Sequence, residues 1–127
     1  MKNKVLSMPR YIVEWTDKYF HQSAFDAPVR YPNKKIVTFL SRFKRKYPVK
    51  LFRGINEYNK GNFSITSWTH DRRVAERYAK ETKGRVVEML FSKTQILIDT
   101  TILTDEQKRQ LGYDYKIDDK EVLVLNQ

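Results

Sequence analysis

Along the first fifty residues apolar positions recur every three or four places. In YIVEWTDKYFHQ, Ile12, Trp15 and Tyr19, with Val13 and Phe20 beside them, mark one face of a helix. YPNKKIVTFLSRFKRKY carries a second stripe, Ile36, Phe39, Leu40 and Phe43; Pro32 suits the first turn of that helix and Pro48 stops it. Past Pro48 the period changes. VKLFRGI reads as a short strand, Lys60-Gly61-Asn62 as a turn and FSITSW as an alternating second strand. HDRRVAERYAKETKG returns to the helical period, with Asp71 as N-cap, Val74, Ala75, Tyr78 and Ala79 along one face, and Gly84 past its end. RVVEMLF and QILID are predicted strands. TDEQKRQLG is a predicted helix with a capping box from Thr104 to Gln107 and a stop at Gly112, and EVLVL is the closing strand. Helices come first and a strand-rich half with two inserted helices follows, an α+β order.

Composition narrows the class. A chain of 127 residues holds one domain, here read as a basic helical part (1–48) and a strand-rich core (49–127). With no cysteine there is neither a disulfide nor a thiolate metal site, and two histidines, His21 and His70, make no zinc cluster, so no metal is expected. The opening MKNKVLSMPR lacks the apolar stretch of a signal peptide and no run approaches membrane-spanning length; the expectation is a cytoplasmic protein without a membrane partner. The net charge of +10 is uneven. Residues 1–50 hold 12 Lys and Arg against 3 Asp and Glu, whereas residues 51–127 hold 13 against 12. That surplus, densest in SRFKRKYPVK, favours a polyanionic partner over a merely solvated face.

Three short stretches carry candidate chemistry. A strand ends in Arg53-Gly54, a second ends in Ser67-Trp68-Thr69 ahead of a helix with Ala75-x-x-Tyr78-Ala79, and a third begins at Asp119-Lys120-Glu121. Singly they are ordinary: an arginine that pairs with solvent-side acids, strand-end hydroxyls, and charges where a strand leaves water. In this order and spacing they resemble the arginine–serine–glutamate class of mono-ADP-ribosyltransferases over residues 49–125. The resemblance implies a split β-sandwich with N-terminal helices packed against it and NAD⁺ as substrate in the cleft. It implies Arg53, Gly54, Ser67, Trp68, Thr69 and Tyr78 as NAD⁺-binding residues, and Glu121, Asp119 and Ser67 as the catalytic set. Two positions depart from the family pattern: Trp68 stands at the middle threonine of its Ser-Thr-Ser motif, and Asp119 at its Glu or Gln.

The residue types suit such chemistry. Cleaving the nicotinamide–ribose bond passes through an oxocarbenium-like state, which a carboxylate at Glu121 would stabilise through the ribose 2′-hydroxyl. Arg53 offers a planar donor fork to the phosphates, and Gly54, without a Cβ, allows close backbone approach. Ser67 would hold Glu121, and Trp68 and Tyr78 are the candidates to stack on nicotinamide.

For the acceptor, the basic half points to nucleic acid, above all RNA, held through Lys34, Lys35, Arg42, Lys44, Arg45 and Lys46. Tyr113 and Tyr115, in the loop before the glutamate, are candidates to stack on a base. This resembles small nucleic-acid-modifying toxins of the superfamily, phage-defence toxins included, and such a protein can carry an inhibitory partner. The alternatives are an arginine on an acidic host protein, as for phage transferases that modify transcription or translation machinery, and a non-enzymatic basic nucleic-acid-binding module.

Overall fold

The computed structural model describes residues 8–21, 32–45, 47–57, 59, 64–113 and 119–126. Among these the chain is mixed α+β, with four helices and one five-stranded antiparallel sheet. In chain order the elements are α1 (Arg10–Phe20), α2 (Lys34–Leu40), β1 (Val49–Ile55), β2 (Ile65–Thr69), α3 (Arg72–Lys80), β3 (Arg85–Phe91), β4 (Ile96–Asp99), α4 (Asp105–Gln110) and β5 (Glu121–Leu125). Single 3₁₀ turns flank β4 at Lys93–Gln95 and Thr100–Ile102. The strand order is β3-β1-β2-β5-β4. The predicted turn at Lys60-Gly61-Asn62 lies outside the described residues.

The helices form where the pattern placed them, for the expected local reasons. Asp71 accepts a hydrogen bond from the Arg73 amide at 2.9 Å, capping α3. Thr104 and Gln107 close a capping box on α4, and Gly112 ends its last turn at φ +79°. Helix α2 departs from expectation. It stops at Leu40, and its N-cap is Asn33, whose side chain accepts from the Ile36 amide, so Pro32 lies outside the first turn. The stretch beyond, SRFKRK, has no acid three or four places away to offset its crowded cations. The chain turns instead, and the Phe43 carbonyl accepts a hydrogen bond from the Asp99 amide at 2.7 Å.

Both faces of the sheet contribute to a buried core. Ile65, Leu123 and Leu125 pack with Ile12 and Tyr19 of α1, Ile36 and Leu40 of α2, and Leu97 and Ile98. On the other face Leu51, Trp68, Val122 and Val124 pack with Phe91 and Ile96. The unbroken apolar run of β5 follows from this, because alternate residues point into two different cores. Helix α3 lies directly on β1: a Cβ on Gly54 would come within 1.9 Å of the Ala75 carbonyl oxygen. Among the described residues no helix is long and apolar enough to cross a membrane.

Candidate active site

The register of the sheet sets the site. Phe52 of β1 pairs with Thr69 of β2, and Thr69 pairs with Glu121 of β5, so the three lie abreast across adjacent strands. Directly paired residues share a face, and Ser67, two places from Thr69, shares it too. That face is the one on which α1 packs, since the Tyr19 hydroxyl lies 2.8 Å from Ser67 Oγ.

Strands β1 and β2 pair only at Phe52 and Thr69, whereas β2 and β5 pair along five residues. Where the β1–β2 ladder ends, Arg53 replaces it. Its guanidinium donates to the Ser67 carbonyl at 2.8 Å and to the Asn59 carbonyl at 2.9 Å. Asn59 in turn donates to the Gly54 carbonyl at 2.8 Å, so a small polar frame holds the end of β1. Two of Arg53's five N–H donors are thus engaged with described residues, leaving donors for an anion. Burial lowers the Arg53 pKa, while Tyr19 and the negative charge of Glu121 favour its cationic form.

Glu121 is half-buried and fixed by its backbone. Its carbonyl accepts from Thr100 Oγ1 at 2.6 Å, and its amide end is paired to Thr69. Just before it Lys120 adopts φ +50°, a left-handed conformation costing a non-glycine residue about 1 kcal/mol. This turn separates the two acidic side chains. Asp119 points to α3, where its carboxylate meets Arg77 Nη2 and the Tyr78 hydroxyl, both at 2.7 Å. The charge of Glu121 is felt by Tyr19 of α1, Arg53 of β1 and Tyr78 of α3. Burial, then Glu121, push the Tyr19 pKa well above that of a free phenol, with Ser67 and Arg53 opposing; the hydroxyl stays protonated and available to Ser67. Burial and the Asp119 carboxylate do the same to Tyr78.

The predicted site residues therefore separate into two groups. Arg53, Ser67, Thr69, Tyr78, Asp119 and Glu121 come together. Thr69 acts on backbone, its hydroxyl donating to the Asp119 carbonyl at 2.7 Å and accepting from the Asp71 amide at 3.0 Å. Tyr78, expected along the buried face of α3, is instead 41% exposed beside Asp119, leaving ring surface for a ligand. Gly54 belongs to the cluster, but what excludes its Cβ is the backbone of α3.

Trp68 is corrected. Its ring is buried against Phe91 at 4.7 Å and its indole N–H is held by Thr66, because strand alternation turns it away from Ser67 and Thr69. Tyr113 is corrected as well: it is buried, with its ring 5.0 Å from that of Phe20, which leaves it no face for a base. Lys44 donates to the Lys93 carbonyl at 2.9 Å, and burial, then the nearby Lys93 charge, lower its pKa. Arg45 donates to Thr101 Oγ1 at 2.7 Å and lies 3.5 Å from the buried Asp99 carboxylate. Both cations are drawn towards the 93–101 segment. Tyr115 and Lys46 lie outside the described residues.

His70 is tied to the interior: its Nε2 lies 2.7 Å from the fully buried Asp99 Oδ2. Sequence reasoning missed Tyr19, Asn59 and Arg77 as members of the site. The one signal for Tyr19 was a hydroxyl on an otherwise apolar stripe, since a buried tyrosine requires a partner for its O–H. Among the described residues no group of three His, Cys, Asp or Glu side chains could hold a metal ion.

Comparison with protein-family models, with curated proteins and with solved structures returned no match.

Proposed function

We propose that this chain is an NAD-dependent mono-ADP-ribosyltransferase that transfers ADP-ribose to a nucleic acid, with RNA as the leading acceptor. One observation carries the reading: Arg53, Ser67 and Glu121 come from three adjacent strands to one place, where the Arg53 guanidinium donates to the Ser67 carbonyl and the Glu121 charge favours its cationic form. A cation for phosphates beside a carboxylate for a developing oxocarbenium is what NAD⁺ cleavage requires. The reading places NAD⁺ where β1 and β2 part, and takes this opening as the cleft of a split β-sandwich.

In the reaction the bond between ribose C1′ and the nicotinamide nitrogen breaks, and its electron pair leaves with neutral nicotinamide. An acceptor oxygen or nitrogen then bonds C1′ and releases its proton. Arg53 holds the phosphates. Glu121 accepts a hydrogen bond from the ribose 2′-hydroxyl, most strongly as C1′ becomes positive. Ser67, itself steadied by Tyr19, positions that carboxylate. Tyr78 stacks on nicotinamide from the α3 side. Asp119, anchored by Arg77 and Tyr78, faces the acceptor.

The test incubates purified protein with labelled NAD⁺ and a whole-cell extract, then digests duplicate samples with nuclease or protease. Label lost to nuclease, and absent with Glu121→Gln, supports the reading. Label lost only to protease transfers the acceptor to a protein side chain. No label and no nicotinamide release overturns the enzyme reading and leaves a basic binding module.

A further inference from the structure

Helices α1 and α2 enclose an open groove of about 450 Å³ lined by Tyr11, Lys34, Lys35, Thr38, Phe39 and Arg42. The described residues that line it include three cations and no acid. None of the three cations forms an ion pair with a described carboxylate, although acids offset many other basic side chains of this protein, among them Arg10, Lys50 and Arg72. Two of them rest on aromatic rings: Lys35 Nζ lies 4.1 Å from the centre of the Tyr11 ring, and Arg42 Cζ lies 4.9 Å from that of Phe39. A cation held by a ring is preorganised, so less conformational freedom is lost when a phosphate arrives. The rings and the guanidinium plane add surfaces on which unpaired bases stack.

We propose that this groove binds single-stranded nucleic acid. Lys34, Lys35 and Arg42 contact consecutive stretches of its phosphate backbone, and Tyr11 and Arg42 stack against its bases. The charge complementarity commits the groove to a polyanion, and the interleaved aromatic rings favour unpaired bases over an acidic protein. Tyr11 and Tyr19 lie eight positions apart on α1, about 12 Å along its axis. This is the length of roughly three or four stacked nucleotides. A strand extending that far from the groove reaches the level of Tyr19, whose hydroxyl contacts Ser67. Its role as the acceptor rests on the transferase reading, but binding itself needs neither NAD⁺ nor chemistry.

The test follows the anisotropy of a short fluorescein-labelled oligouridylate with the full chain, without NAD⁺, between about 50 and about 200 mM salt. Three phosphate contacts predict a log–log salt slope near −2, at about −0.7 per contact with a single strand. The triple variant Lys34→Glu, Lys35→Glu, Arg42→Glu is expected to bind at least about tenfold more weakly and with a slope near zero. Tyr11→Ala is expected to weaken binding about tenfold with the slope unchanged, the signature of lost stacking. Circular dichroism checks that both variants fold. Wild-type affinity in the folded triple variant overturns the proposal. Equal affinity for the matching duplex, or equally tight binding of polyglutamate, overturns it too. Glu121→Gln is expected to bind the oligonucleotide as wild type does. Oligonucleotide binding by the wild-type chain with no nicotinamide release from it would therefore count against the transferase alone, and wild-type nicotinamide release without oligonucleotide binding against the groove alone.

Discussion

At the scale of the residue, Glu121 joins a strand start to the charges of three other elements. A buried strand can begin with any solvent-facing charge, but this one acts on Tyr19, Arg53 and Tyr78 together. Under the transferase reading, Glu121→Gln removes a charge that matters most in the transition state. It is expected to lower NAD⁺ cleavage by about 10³-fold with little change in KM, measured as nicotinamide release. Tyr19→Phe keeps the ring and its packing on Trp15 but deletes the oxygen 2.8 Å from Ser67. A kcat about tenfold lower at nearly constant stability is expected, since the lost contact is one neutral hydrogen bond that positions the machinery. An unchanged kcat would reduce Tyr19 to a packing residue. Glu121 opens β5 as the local change from polar to apolar residues suggests, whereas Arg53 and Ser67 lie inside β1 and β2. Tyr19 was not legible, because its partner lies 48 positions away and nothing local marks the contact.

At the scale of the element, α3 shows how closely secondary structure is pressed into service. Its backbone lies against β1 so tightly that only glycine fits at position 54. Gly54→Ala is expected to destabilise the protein by about 3 kcal/mol or more, read by urea denaturation, because the obstacle is backbone and cannot rotate aside. Asp71→Ala, by contrast, removes one cap and is expected to cost about 1 kcal/mol. The same packing turns Val74, Ala75 and Ala79 inward and Tyr78 outward to Asp119. Helical periodicity alone groups Tyr78 with the apolar face, since a ring at i+4 from Val74 fits either a core or a cleft edge. Helix α2 fell short of its pattern for a related reason. Phe43 continues the apolar stripe, yet its carbonyl closes onto β4, a hydrogen bond that no local pattern encodes.

At the scale of the whole molecule, buried Asp99 ties distant segments together. It meets His70 after β2, Arg45 after α2, and Thr101 beyond β4. Burial opposes its ionisation, but the hydrogen bonds from His70 and Thr101 outweigh burial and hold its pKa below the ordinary 3.8. A carboxyl more acidic in the folded than in the unfolded chain contributes its full stability above the unfolded pKa. That contribution drains away as pH falls through the folded value. Asp99→Asn is expected to cost about 3 kcal/mol near neutral pH, with the difference from wild type narrowing below about pH 4, followed by denaturant titration at several pH values. A gap that stays constant to lower pH would show that packing, not charge, accounts for the loss.

By itself the sequence determined the period of each element, the caps of α3 and α4, the α+β order and the uneven charge. All of these rest on contacts among residues a few places apart. It also placed Glu121 at the start of its strand, because a change from polar to apolar is a local event. Only the tertiary structure decided the register that aligns Thr69 with Glu121, the core-facing turn of Trp68, the outward turn of Tyr78, and the reach of Tyr19 to Ser67. Strand register and helix facing are chosen by which arrangement buries both faces of the sheet at once. That choice belongs to the packed chain as a whole, so no single stretch of sequence carries it.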